Sequence, residues 1–201
     1  MRTLARVIPL GLVAVMLSAP GATPVAVAAE VKVEMSSGSY SPAVAYPGLD
    51  GTVTWKNITA VEHTATSDQG FFHIFVAGGG VEVSFDFEHA GSFGYSCDGH
   101  PTTRGTVKVP LRAPAADANA FTLRWSAVGS NRDGRTFDVQ KNSPGASTGW
   151  TALRTNTTAR YASLNPTRNG YWRYRARVDN TGNPENIQTS GWSPVKLVKV
   201  S

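Results

Sequence analysis

Short runs in which apolar and polar residues alternate recur along the chain from residue 31 onward. The longest covers residues 81–87, and shorter runs cover residues 31–35 and 105–109. Alternation with a period of two gives a β-strand one apolar face, whereas an amphipathic helix needs apolar residues three and four positions apart. Clusters of glycine and proline, such as residues 78–80, separate the runs as turns do. The pattern therefore predicts an all-β protein with antiparallel strands, and it argues against a helical bundle.

The chain divides near residues 111–118, a stretch that is rich in alanine, carries a proline and shows no alternation. We interpret it as a linker between two domains, residues 30–110 and residues 119–201. A chain of 201 residues is long enough for two domains that each bury a core. The formal charge is −5 over residues 30–110 and +8 over residues 111–201. Opposite charges on the two halves are expected of separate domains with different surfaces.

The first 29 residues have the composition of an export signal. Arg2 and Arg6 precede an apolar run at residues 7–17, and small residues up to position 29 follow it. A basic start, a short apolar middle and an A-x-A cleavage pattern are typical of a secretory signal peptide, and the run is too short to span a bilayer. We therefore expect residues 1–29 to be removed and the mature protein to be secreted, extracellular or periplasmic, without a membrane span.

Cys97 is the only cysteine of the chain, so it cannot form an intrachain disulfide. His100 follows it in a C-x-x-H arrangement, which lets a thiol and an imidazole of one tight loop bind the same ion. His63 lies far upstream, where folding could bring it to the same point. Two imidazoles and one thiolate with a weak axial ligand suit a blue-copper site. Zinc is the competing metal, and a buried structural thiol is the interpretation without a metal.

Two further histidines of the first half are not predicted to be ligands. His73 stands among aromatic residues at positions 71–75, and we expect it to be a partly buried loop residue. His89 precedes Ala90 and Gly91 at an expected turn, where we predict that it is solvated.

The motifs around these residues resemble the plastocyanin/amicyanin type of cupredoxin over nearly all of residues 30–110. The matching segments are Val53-Thr54-Trp55-Lys56-Asn57, His63-Thr64, Ser67-Asp68, Ser84-Phe85 with Phe87, residues 91–101 and residues 105–109. The resemblance implies a Greek-key sandwich and one type 1 copper ion held by His63, Cys97 and His100. It also implies an electron carrier between larger redox partners, and not an enzyme.

One position departs from the cupredoxin pattern. The family has a methionine three residues after the second histidine ligand, and this chain has Thr103 there. The mature chain keeps a single methionine, Met35, in the first predicted strand. Thr103 is therefore the candidate for a weak axial contact, with the carbonyl oxygen of Glu62 as an alternative. Loss of a soft axial donor favours Cu(I) and should raise the reduction potential.

The second half resembles a fibronectin type III module, an immunoglobulin-like sandwich. The matching segments are residues 121–125, residues 137–140, Trp150, Leu164-Asn165-Pro166, residues 172–178 and Ser190-Gly191-Trp192-Ser193-Pro194. Arg173, Arg175 and Arg177 alternate with residues expected to face the core. We interpret this row as a solvated strand face with apolar arginine stems. Attraction to an acidic wall or surface polymer is the alternative, and no motif indicates nucleic acid.

Together these patterns predict a secreted, monomeric copper protein that carries electrons, with the second domain as a spacer or docking module. An extracellular copper-sequestering protein, or a binding or adhesion protein without redox activity, is the alternative that the threonine at the axial position keeps open.

Overall fold

The structure is a computed structural model that describes part of the chain. The described residues are 30–113, 119–129, 134–146, 149–180 and 188–201. The predicted signal peptide and most of the predicted linker, residues 114–118, lie outside them. Every regular element of the described residues is a β-strand, which confirms the all-β prediction. No helix in these segments is long and apolar enough to cross a membrane.

Residues 30–109 form nine strands in two sheets, which pack together as a sandwich. The strands are β1 (Glu30–Ser36), β2 (Ser39–Ser41), β3 (Val44–Ala45), β4 (Gly51–Asn57), β5 (His63–Ser67), β6 (His73–Val76), β7 (Glu82–Phe87), β8 (Gly91–Cys97) and β9 (His100–Val109). One sheet has the strand order β2-β1-β4-β7, and the other has the order β3-β9-β8-β5-β6. The long β8 and β9 therefore lie in the middle of the second sheet.

Two strand pairs of this sandwich correct the prediction that all strands are antiparallel. Strand β1 pairs with β4 in parallel, with Val33 opposite Trp55. Strand β3 likewise pairs with β9 in parallel, with Val44 opposite Thr106. In both cases other strands intervene along the chain, so the connection is long enough to return to the same end of the sheet, as parallel pairing requires.

The alternating residues of both sheets meet in an aromatic core. Trp55 and Tyr95 are fully buried, and their rings meet edge to face at a centroid distance of 5.7 Å. Phe72 packs against Trp55 and against Phe87, with ring centroids 5.7 and 5.5 Å apart. Tilted and edge-to-face aromatic pairs add about 0.5–1.5 kcal/mol each beyond the area that they bury. This core therefore fixes the strands whose ends carry the site described below.

The C-terminal residues form a second pair of sheets. The strands are β10 (Phe121–Arg124), β11 (Thr136–Asn142), β12 (Thr151–Thr157), β13 (Tyr161–Leu164), β14 (Gly170–Asn180), β15 (Gln188–Thr189) and β16 (Lys196–Val200). Strands β10 and β13 form one sheet, and β14 pairs with β11, β15 and β16 in the other, to which β12 adds an edge. Along β14, Tyr174, Ala176 and Val178 are buried, whereas the predicted arginine row is on the other face.

The arginine row is built into the surface of this second sandwich. The Arg175 guanidinium lies between the rings of Trp150 and Trp192, 4.2 and 4.4 Å from their centroids. The guanidinium of Arg177 stacks on Trp192 and donates to the Asp138 carboxylate at 2.7 Å. Both arginines are half-buried. Their side chains therefore cover part of the sheet, as predicted for the arginine stems, but Arg175 and Arg177 are less solvated than the prediction of a solvated strand face expects.

The start of the predicted linker is already paired with the second sandwich. Leu111 is 2% exposed. Arg112 exchanges two main-chain hydrogen bonds with Arg124 of β10, at 2.9 and 2.8 Å. Residues 111–113 are therefore structured, and the chain enters the second sandwich before the segment that the structure does not describe.

Candidate metal centre

Three strand ends bring the predicted ligands together at one end of the first sandwich. His63 is the first residue of β5, Cys97 is the last residue of β8, and His100 is the first residue of β9. The register of β8 and β9 shifts after Ser96, so that Cys97 is paired with His100. This bulge and the tight turn that follows place the thiol and the imidazole side by side, which explains the use of the C-x-x-H spacing.

The donor atoms converge. The Cys97 Sγ atom lies 3.6 Å from Nδ1 of His63 and 3.8 Å from Nδ1 of His100. One donor atom from each of the three residues lies within 4.8 Å of the other two. The two imidazole centroids are 5.4 Å apart. In the described part of the chain this is the only such group of three or more histidine, cysteine or acidic side chains.

The three side chains differ in burial. His63 is 3% exposed and Cys97 is 2% exposed, whereas His100 is exposed. Nε2 of His63 is buried without a hydrogen-bond partner among the described residues. The ring therefore presents Nδ1 to the sulfur, while its other nitrogen is buried. The site has a closed inner side and one ligand that reaches solvent.

The protein environment favours the thiolate form of Cys97. Burial alone would raise the pKa of the thiol, but hydrogen bonds to the sulfur outweigh it and lower the pKa from its ordinary value. The donors are the backbone of Thr64, the ring of His63 and the backbone of Gly99. Because a metal binds the thiolate and not the thiol, these contacts prepare the sulfur as a ligand.

Asp98 ties the metal-binding turn to its neighbours. Its backbone N–H donates to Oγ1 of Thr64 at 2.8 Å, and its carboxylate lies 3.1 Å from Nε2 of His73. A hydrogen bond from the Thr66 hydroxyl is the main cause that lowers the pKa of the Asp98 carboxyl, and the His73 ring contributes. Sequence reasoning missed this residue, because no spacing rule links Asp98 to strands β5 and β6.

Two predictions about histidines are wrong. His73 begins strand β6 with an exposed side chain, and it is neither in a loop nor partly buried. Strand β6 is at the edge of its sheet, and His73 lies on its exposed face together with Phe75. His89 is 8% exposed, and its Nδ1 lies 3.1 Å from Oγ of Ser126, a residue of the second sandwich. The apparent turn at this histidine is in fact a junction between the two sandwiches, which a local pattern cannot reveal.

The donor set fits a first-row transition metal. Metal–sulfur bonds of about 2.3 Å and metal–nitrogen bonds of about 2.0–2.1 Å, at angles of about 110–120°, separate sulfur and nitrogen by about 3.6–3.8 Å. The observed separations are 3.6 and 3.8 Å. Thr103 is 4% exposed and lies on the inward face of β9. Its neighbour Arg104 pairs with Ser96, the residue before Cys97, so Thr103 is near the metal-binding turn. The residues present therefore fit a bound ion.

Comparison with known proteins gives structural likenesses only. No protein-family model matches the chain, and no curated protein sequence matches it significantly. A proline-to-glycine variant of amicyanin in its reduced Cu(I) form at pH 4 is 26% identical, with a TM-score of 0.37, covering 40% of this chain and 81% of that chain. The purple cupredoxin from Nitrosopumilus maritimus is 26% identical, with a TM-score of 0.35, covering 39% of this chain and 97% of that chain. TM-scores of this size do not establish a shared fold, and the function proposed below is drawn from the three donor side chains.

Proposed function

We propose that the first sandwich is a cupredoxin-type domain that holds one copper ion through His63, Cys97 and His100 and carries electrons. The observation that carries this proposal is the convergence of one sulfur and two ring nitrogens, with sulfur–nitrogen separations of 3.6 and 3.8 Å. A copper ion bound there would supply one-electron exchange between Cu(I) and Cu(II). The role is that of a carrier between redox proteins, and no substrate is converted.

The donor set favours copper over a structural zinc ion. Structural zinc sites are closed by four strong donors in a tetrahedron. In the described residues no fourth histidine, cysteine or carboxylate joins the cluster. The nearest acidic neighbour along the chain, Asp98, contacts His73 instead. Two imidazoles and a thiolate without a strong fourth ligand are the set that type 1 copper uses.

The chain's own residues would keep the site rigid and open on one side. His63 and Cys97 are at the ends of buried strands, so their positions are set by the core and change little with the charge of the site. Asp98 holds the turn between the two loop ligands through its hydrogen bond to Thr64. His100 is exposed and gives electrons a short way out to a partner. Fixed ligands of this kind keep the rearrangement on electron transfer small.

Thr103 stands where a cupredoxin has its axial methionine. Its hydroxyl is a harder donor than a thioether, and it makes a weaker contact with copper or none. We propose that the resulting site is closer to three-coordinate than its relatives, which favours Cu(I) and gives a high reduction potential. The same change supports the second candidate, copper sequestration, because a site that holds Cu(I) firmly need not release electrons.

The visible spectrum after Cu(II) is added to the purified protein tests these functions. An electron carrier should develop an intense thiolate-to-copper band near about 600 nm, and the Cys97→Ser variant should stay colourless. A colourless protein that nevertheless binds Cu(I) would support sequestration. A protein without affinity for either copper ion would contradict both copper functions and leave a binding or adhesion module.

We propose further that the protein is exported and that the second sandwich is a fibronectin type III-like spacer or docking module. The charge of +8 over residues 111–201 would attract an acidic wall or surface polymer over a distance. Arg175 and Arg177 are engaged by Gln140 and Asp138, so this attraction would depend on net charge more than on the arginine row. Retention of the full chain on a heparin column and its elution at rising salt test this attraction, and passage of the protein into the flow-through at low salt would contradict it.

A further inference from the structure

The two sandwiches are joined by main-chain hydrogen bonds. The backbone of Ser92 in β8 exchanges two hydrogen bonds with Gly191 of the second sandwich, at 2.9 and 2.8 Å. The Ala90 N–H donates to the carbonyl of Trp125 at 2.9 Å, and the Ala127 N–H donates to the carbonyl of Glu88 at 2.8 Å. Tethered modules that move independently do not share β-type pairing of this kind. The junction therefore continues the hydrogen-bonded framework of both sandwiches.

Two glycines make this close approach of backbones possible. A Cβ atom on Gly191 would lie 3.1 Å from Cβ of Ser92 and 3.3 Å from its carbonyl oxygen. On Gly91, a Cβ atom would lie 2.6 Å from Oγ of Ser190 and 2.9 Å from Cζ of Phe93. Neither glycine has a positive φ, so the absence of a side chain serves the contact and not the backbone conformation.

Side chains from both sandwiches fill the junction. His89 places Nδ1 3.1 Å from Oγ of Ser126, and its ring meets that of Phe137 at a centroid distance of 5.3 Å. The Arg135 guanidinium of the second sandwich lies 4.9 Å from the centroid of Phe71 in the first. The buried apolar residues of both sandwiches belong to one continuous cluster. The contact therefore resembles the core of a domain more than a loose interface between two domains.

We infer that the N-terminal end of β8 is a docking surface for the chain's own second sandwich, and that the two sandwiches form one thermodynamic unit. The strand that ends at Cys97 begins at this junction. An ion held at the metal centre therefore stabilises the second sandwich as well, although it touches none of its residues. The coupling to metal rests on the function proposed above, whereas the docking itself does not.

Thermal unfolding of the metal-free protein tests the docking. Backbone amide signals in NMR spectra report each sandwich separately, for example Val53 in β4 and Ala176 in β14. One unit requires both signals to disappear with the same midpoint. Two separate midpoints in the metal-free protein would overturn the inference, whatever the metal does.

Anaerobic Cu(I), which leaves NMR signals sharp, tests the coupling. Ligand at about one hundred times its dissociation constant should raise the midpoint of a unit of this size by about 5–10 °C, equally for both sandwiches. A separate first sandwich would instead shift alone and by about 10–20 °C, because a smaller unit responds more strongly. A shift confined to the first sandwich would overturn the inference. If Cu(I) shifts neither sandwich, the metal site fails while coincident metal-free midpoints still support the docking.

A variant at the junction sharpens the result. Gly191→Val should split the single transition into two and confine the Cu(I) shift to the first sandwich. Gly38→Val is the matched control, because a side chain there meets nothing within 4 Å, and its transition should stay single. Gly191→Ala serves if the valine variant does not fold. A single transition in a folded Gly191→Val protein would contradict the assignment of the docking surface.

Discussion

The two ends of strand β8 differ in how they are built. At one end Cys97 meets two imidazoles through side-chain atoms, and the backbone around it is held by polar contacts. At the other end Gly91 and Ser92 meet a second sandwich through main-chain atoms, and the side chain is missing where the contact is closest. Between them the strand alternates buried and half-buried residues without interruption. One regular strand thus separates a chemical end, where the metal ligands lie, from a mechanical end, where the second sandwich packs.

Loss of a ligand should have the largest effect, and it should differ between the two histidines. His63→Ala and His100→Ala should each weaken copper binding by more than about 100-fold. Even the loss of a residue that only hydrogen-bonds to a metal ligand typically lowers metal affinity by about 10–100-fold. Only His63→Ala should also destabilise the metal-free protein, by about 1–3 kcal/mol, because its ring is buried. Competition with a Cu(I) chelator and denaturant unfolding measure the two effects. Equal losses of stability in both variants would contradict the distinction between a buried His63 and an exposed His100.

A substitution at the mechanical end should change the stability of the protein and leave its copper site unchanged. Gly91→Val should weaken the junction by about 1–3 kcal/mol and divide the unfolding transition as Gly191→Val does, because the new side chain meets Ser190 and Phe93 in a packed contact. The visible band of the copper protein should keep its position and intensity. Denaturant unfolding and absorption spectroscopy check both statements, with Gly38→Val as the control in open space. A displaced band would show that the geometry of the metal centre depends on the junction.

The axial position should have a moderate effect that is confined to the chemical end. Thr103→Met should lower the reduction potential by on the order of 100 mV, because a soft thioether stabilises Cu(II) relative to the three-coordinate site; 59 mV is about tenfold in a one-electron equilibrium. Voltammetry of both proteins in the same buffer measures it. Thr103→Ser, which keeps the hydroxyl, should leave the potential nearly unchanged. A wild-type potential at or below that of Thr103→Met would refute the role given to Thr103.

The smallest expected effect concerns the metal-free thiol. Because hydrogen bonds lower the pKa of Cys97 in the folded protein, the folded state binds its proton less firmly than the unfolded state. The stability contributed by this group is therefore complete above the ordinary thiol pKa and is lost as the pH falls through the lowered folded value. Ultraviolet thiolate absorbance and unfolding at several pH values check this, and Cys97→Ser should remove the pH-dependent part. If stability instead rises on acidification, and does not do so in Cys97→Ser, the predicted direction of the pH dependence is wrong.

The sequence predicts the chemical end better than the mechanical one. Residues 81–87 alternate and contain β7 (Glu82–Phe87), and the C-x-x-H spacing is local, so both can be recognised from neighbours along the chain. The parallel pairing of β1 with β4 is not, because alternation reveals a strand but not its partner. His89 fails for the same reason, since its burial depends on Ser126 and Phe137, which lie more than thirty residues away in the chain. Features set by neighbours along the chain can be predicted from the sequence, whereas features set by contacts between distant segments cannot.

The position of the junction also determines what can approach the exposed imidazole of the metal centre. From Ser92 to Cys97 strand β8 runs five residues, about 17 Å at the usual rise. The second sandwich therefore packs against the first at the opposite end of this strand and leaves the His100 imidazole uncovered. A redox partner of the proposed kind would therefore reach this imidazole without displacing the second sandwich.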